Sequence, residues 1–103
     1  MADFYELIEQ ARKTGKIDKG LNEATKAAEQ GSAKLIVYAS DVDPKELVQH
    51  LPLICEEKGI PCQEVDSKER LGVAAGITVK CGAVAVIDGG EAAKQIEAVK
   101  GGK

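Results

Sequence analysis

Asn22, Glu23 and Lys26 are the residues of this chain whose types and spacing could do chemistry together. On a helix, positions three and four apart share a face, so the three would stand as one cluster. An amide, a carboxylate and an ammonium can between them accept from base amino groups, donate to base acceptors and reach a phosphate. None of them belongs in a core without a partner. Just before them come the basic stretch Lys16-Ile17-Asp18-Lys19 and Gly20, a glycine turn that opens the helix. The same residues also fit a plain helix start, with Asn22 as the cap, Glu23 against the positive dipole end and Lys26 in solvent. Taken alone, the local residues favour that plainer reading.

Other groupings carry less. Ile87-Asp88-Gly89-Gly90-Glu91 runs from a strand through glycines into a helix, the topology of a phosphate cradle. It lacks both the GxGxxG and the P-loop patterns, so a tight turn is the better explanation, with a nucleotide- or metabolite-binding module as the alternative. His50 follows Glu46 by one helical turn with no Cys or Ser motif around it, which fits a structural or surface histidine. Asp41 and Asp43 stand where a helix cap is due, a commoner use of two acids than a metal site. Nothing here forms a credible enzyme site, and no cofactor is expected.

The chain has 103 residues, 44% hydrophobic and 30% charged, which fits one globular domain spanning residues 1–103. No apolar run is long enough for a bilayer and Met1-Ala2-Asp3 opens no signal pattern, so a cytoplasmic protein without a membrane partner is expected. Cys55, Cys62 and Cys81 lack CxxC spacing, which favours reduced, buried thiols over zinc or disulfides. Net charge is −3, against a nucleic-acid partner at first sight. From Arg12 to Lys34, however, six basic residues meet three acidic ones, so that segment is +3 and the remainder −6.

The elements that must position the cluster follow from periodicity. Residues 3–14 carry an apolar helical stripe of Phe4, Leu7, Ile8 and Ala11, ended by Gly15. A second helix runs from the Gly20 turn to about Gln30, with Gly31 as its C-cap. Residues 34–38 and 83–87 are continuous apolar runs, expected as strands buried on both faces. Asp43 and Pro44 open a third helix with Leu47, Leu51, Ile54 and Cys55 as its stripe, and Pro52 should kink or restart it. Residues 62–65 form a strand, Ser67 caps a short fourth helix ending at Gly76, and a last helix spans 91 to about 99 before a frayed tail. Alternating helices and strands imply an α/β fold, a three-layer α/β/α sandwich with a small mixed central sheet.

Read in this order, the chain resembles the kink-turn-binding ribosomal protein family, and most of all its archaeal large-subunit branch. The residues that carry the likeness are Lys19-Gly20-Leu21-Asn22-Glu23-Ala24-Thr25-Lys26, Ala33-Lys34-Leu35 and Asp41-Val42-Asp43-Pro44. It continues through His50-Leu51-Pro52-Leu53, Cys55-Glu56-Glu57-Lys58, Ile60-Pro61, Ser67-Lys68, Leu71-Gly72 and Ala75-Gly76-Ile77. The resemblance implies the same sandwich, and a site that holds sharply bent RNA. It implies as partners kink-turns in ribosomal RNA, in box C/D or H/ACA guide RNAs and in ribonuclease P RNA, together with other ribonucleoprotein components. The free protein is expected to be a monomer.

By that resemblance, Asn22 and Glu23 contact guanines of sheared G·A pairs, while Lys26 contacts guanine or backbone. Asp43 approaches the RNA and helps to orient neighbouring lysines, and Lys19, Gly20 and Lys68 belong to the same surface. The loop from Val73 to Val79, including Ala75, gives an apolar cover to extruded nucleotides, with Ile77 the foremost contact and Val79 in the archaeal pattern. Splayed bases in an opened groove are what side chains can read in RNA. Leu71 is better explained as core. Two departures bear on affinity: relatives usually have a hydroxyl residue in place of Leu21, and many have a basic one in place of Val73. With the acidic net charge, these imply weaker and more salt-sensitive binding than is typical of the family.

Overall fold

A computed structural model of the chain describes residues 4–42 and 45–101. The side chains of Leu47 and of residues 99–101 lie outside the description. Four strands, β1 (Lys16–Lys19), β2 (Leu35–Ala39), β3 (Cys62–Val65) and β4 (Ala83–Asp88), make one sheet in the order β1-β4-β2-β3. The sheet is mixed. β2 pairs with β3 in parallel, and β4 runs antiparallel to both β2 and β1. Leu35, Ile36, Val37, Ala83, Val84, Ala85 and Val86 in the two central strands are fully buried, as continuous apolar runs with cover on both faces require.

Helices α2 (Leu21–Gln30) and α3 (Glu46–Lys58) pack on one face of the sheet. α1 (Phe4–Thr14), α4 (Lys68–Ala74) and a 3₁₀ turn (Gly90–Ala92) that leads into α5 (Ala93–Gly101) occupy the other. The three-layer sandwich is therefore the fold. α1 buries Leu7, Ile8 and Ala11, and α2 buries Ala24, Ala27 and Ala28. An alanine face lets α2 sit close on β4, so its polar face turns outward beside the sheet edge. Gly31 (φ 71°) closes α2, its N–H reaching the carbonyls of Ala27 and Ala28.

Two details differ from the sequence reading, and a third lies outside the described residues. Lys16–Lys19, expected only as a basic stretch, is an edge strand, with Ile17 opposite Val86 and Lys19 opposite Val84. α3 runs unbroken through Pro52 and does not restart there, because the fully buried Leu51 and Cys55 hold both sides of the lost amide bond in the core. Asp43 and Pro44, expected to open α3, lie outside the described residues, and the helix begins at Glu46 with no side-chain cap from Lys45. Cys55 and Cys81 are buried and Cys62 half-buried, none of them in a disulfide. No helix among the described residues is long and apolar enough to cross a membrane.

Candidate nucleic-acid interface

The site begins where β1 becomes α2. Gly20 has φ 103° and ψ 155°, a backbone region that is essentially glycine-only. Its N–H donates to Ala83 O (2.9 Å) and its carbonyl accepts from Ala24 N–H (2.9 Å), so one residue ends the β1–β4 ladder and starts the helix. A methyl built on Gly20 meets no atom within 4 Å; conformation, not crowding, demands the glycine. Asn22 is thus the second residue of α2 and not its cap, which Gly20 occupies without a side-chain bond. Asn22, Glu23 and Lys26 are all exposed and have no hydrogen-bond or ion-pair partner among the described residues.

α3 braces that helix from beside it. Thr25 Oγ1 donates to Leu21 O (2.8 Å) and lies 2.8 Å from His50 Nε2. A hydroxyl has one proton, so with that proton given to Leu21 the imidazole must donate, which places the proton on Nε2. The half-buried His50 therefore has the structural use expected of it, holding the first turns of α2 against α3.

Facing Gly20 is the segment that joins α4 to β4. Ser67 (φ −141°) caps α4 by accepting from Arg70 N–H at 3.1 Å. Asp41 accepts from Lys68 N–H (2.8 Å), and Lys68 O accepts from Cys81 N–H (3.0 Å). Asp41 therefore caps α4 and not the nearer α3, and the Lys68 backbone is pinned on both sides. Gly72 allows the closest approach: a methyl there would stand 2.3 Å from Val79 O. Ile77 N–H donates to Gly72 O (3.1 Å), folding the segment back along the helix.

Between the two walls lies an open cleft of about 490 Å³, to which Lys19, Gly20, Lys68, Ile77 and Val79 contribute. Leu21, Val42, Lys80, Cys81 and Gly82 complete it. Among the described residues the lining holds three lysines and no acidic residue around an apolar surface, so the cleft favours an anion beside an apolar or aromatic group. Burial pushes the Cys81 thiol up from its ordinary range, against smaller opposing effects of the Gly20 and Ala83 backbone and the Lys19 charge. Its Sγ donates to Ala83 O (3.0 Å), a neutral thiol under the floor.

Five of the residues named from the sequence thus meet in one cleft, and Asn22, Glu23 and Lys26 stand on the exposed face of the helix beside it. Asp43 lies outside the described residues. Ala75 is fully buried, while Val73 is 72% exposed. Ile77, expected to be exposed, is half-buried against the core, and Val79 is the more open at 66%. Lys80 was missed. Its signal was a lysine directly after Val79, in a segment read only for its apolar residues.

The Gly89-Gly90 turn is closed by its own side chains. Asp88 Oδ1 accepts from Gly90 N–H (3.0 Å), Thr14 Oγ1 from Glu91 N–H (2.9 Å) and Gly89 O from Ala92 N–H (2.8 Å). The amides a phosphate would need are taken, and a carboxylate stands among them. No group of three or more His, Cys, Asp or Glu among the described residues could hold a metal ion.

The fold has known relatives. Among solved structures, the chain is similar to the "Giardia lamblia 15.5kD RNA binding protein" at 32% sequence identity and a TM-score of 0.85. The superposition covers 96% of this chain and 82% of that one. Residues 2–96 match the sequence pattern described as "Ribosomal protein L7Ae/L30e/S12e/Gadd45 family". By that match over most of its length, the chain belongs to the ribosomal protein L7Ae/L30e/S12e/Gadd45 family.

Proposed function

We propose that this protein binds RNA, recognising and stabilising kink-turns built on sheared G·A pairs, and that it nucleates assembly of larger ribonucleoproteins. The observation that carries this reading is the union on one surface of two unlike features. One is an exposed amide, carboxylate and ammonium with no partner among the described residues; the other is a lysine-bordered apolar cleft. The first suits base edges in an opened groove, the second an unstacked nucleotide and its phosphates. Family membership supports a non-catalytic binding role, and the name of the similar Giardia protein supports RNA as the ligand. The RNAs proposed are ribosomal RNA, box C/D and H/ACA guide RNAs and ribonuclease P RNA, the last tying the protein to tRNA processing. The protein is proposed to act in the cytoplasm of an archaeon, as a monomer until it joins other ribonucleoprotein components.

A salt titration with two RNAs tests the proposal: one kink-turn and one duplex in which the G·A pairs are replaced. Affinity for the kink-turn should fall steeply and linearly in log–log form, and the duplex should bind more weakly at every salt concentration. Flat salt dependence would favour a protein–protein adaptor, and equal binding of both RNAs would remove the kink-turn from the proposal.

A further inference from the structure

Arg12 sits on α1, outside the lining of the cleft, yet it touches both supports of the loop that forms one wall. Its Nε–H donates to the carbonyl of Ala74, the last residue of α4, at 3.3 Å. A methyl built on Gly76 would fall 2.8–2.9 Å from Arg12 Cδ, Nε and Cζ, so the arginine stem fills the space behind that glycine. Gly76 (φ 77°) is where the chain leaves the helix and turns toward Ile77. On the other side the loop is held by backbone bonds from Gly76 N–H to Val73 O (3.0 Å) and Ile77 N–H to Gly72 O (3.1 Å), by the close approach of Val79 to Gly72, and by the packing of Ile77 on the core.

Among the described residues no carboxylate pairs with Arg12, whereas its neighbour Lys13 pairs with Glu9 at 3.1 Å. A half-buried guanidinium with one carbonyl partner and a glycine against its stem serves by its shape, as a rigid planar brace. A second anchor from α1 acts at the opposite end of α4. Tyr5 O–H donates to Asp66 and accepts from Ser67 N–H (3.1 Å), and its ring lies under Arg70, 4.2 Å from centroid to guanidinium. Helix α4 is therefore fixed at its start by Tyr5, and at its end, where the loop departs, by Arg12.

We infer that Arg12 is a positioning residue for the RNA site: it sets Ile77 and Val79 at their place over the cleft without touching RNA itself. The inference rests on the kink-turn reading above. Arg12 acts through the loop, so its removal should matter only as far as the loop's apolar contact matters.

The test is a double-mutant cycle of Arg12→Ala with Ile77→Ala, read as kink-turn affinity over a range of salt, with a melting curve for each protein. Arg12→Ala should weaken binding by about tenfold with its salt slope unchanged, since no phosphate contact is lost. In that background Ile77→Ala should lose most of its own effect, changing affinity about twofold or less. A second route to the same end is Gly76→Ala, whose methyl must push the arginine aside; it should show the same non-additivity with Ile77→Ala. Full additivity in both cycles would overturn the inference, as would a salt slope lowered by about one unit, which would make Arg12 a direct phosphate contact. Steep, kink-turn-selective binding by the unmutated protein, together with unaffected binding by both variants, would overturn the positioning role alone. No RNA binding by the unmutated protein would overturn the functional reading and this inference together.

Discussion

Two strand-to-helix junctions in this molecule are built from glycines, and they have opposite fates. At Lys19-Gly20-Leu21 the backbone is strained but the space above is empty, and Asn22, Glu23 and Lys26 have no partners among the described residues. At Asp88-Gly89-Gly90 the amides are consumed by Asp88 and Thr14, and methyls on the glycines would strike Thr14, Ile96 or Ala93. A glycine at a helix start is therefore not in itself a site. What separates the junctions is whether the protein satisfies its own donors there or leaves polar groups turned outward.

The largest effect that could break this contrast is on folding. Gly90→Ala combines a φ of 54° with a methyl 2.5 Å from Thr14 atoms, so it should lower stability by about 3 kcal/mol in equilibrium denaturation. RNA affinity of the folded fraction should stay within about twofold, because the turn is internal scaffolding. Gly20→Ala, strained but unobstructed, should cost about 2 kcal/mol of stability and weaken RNA binding as well. If the two variants affected RNA equally, the junctions would not differ in kind.

Next comes Glu23→Gln, which preserves size and helix placement but turns one acceptor oxygen into a donor. A loss of roughly 1–3 kcal/mol is expected on RNA with intact G·A pairs, and little on RNA without them, as measured by titration of both. Unchanged binding to the kink-turn would reduce Glu23 to a helix-dipole residue. Ile77→Ala should then weaken binding by about tenfold and lower stability by about 1 kcal/mol, since the side chain is half-buried. A stability loss of about 3 kcal/mol with intact affinity would assign it to the core. The smallest effect belongs to Lys26→Gln: a weakening shared by both RNAs and a salt slope flatter by about one unit. A base-selective loss would instead place this ammonium on guanine.

Sequence alone revealed the parts of the fold that rest on side-chain pattern. β2 and β4 were legible because buried strands write continuous apolar runs, and α2 because Gly20 and Gly31 bracket an alanine face. β1 was not legible. An edge strand of four residues is held by backbone pairing, and Lys16, Asp18 and Lys19 carry no burial signal. The same distinction runs through the site. Asn22, Glu23 and Lys26 could be grouped by helical spacing, whereas the Asp41–Lys68 bond joins residues 27 positions apart. Lys80 owes its place to a loop whose path is set by Gly72 and Gly76, and Arg12 meets the start of that loop at Ala74, 62 positions away. Ala75 was read as a contact from its position in a motif, while the packing of α4 turned its methyl inward.

The pairing of β1 with β4 has a consequence for the order in which the chain is made. Lys19 finds its ladder partner at Val84, and the Gly20 amide finds its acceptor at Ala83. Until residues 83–88 have left the ribosome, nothing holds Gly20 in its strained conformation or the start of α2 against the sheet. The lysines and Asn22 exist in the nascent polypeptide long before then, but only as a flexible basic segment without a cleft. Contacts so distant in sequence close late during synthesis. On the proposed reading, selective grip on RNA is thereby withheld from unfinished chains, and a truncated product ending before β4 would carry the proposed contact residues without the means to aim them.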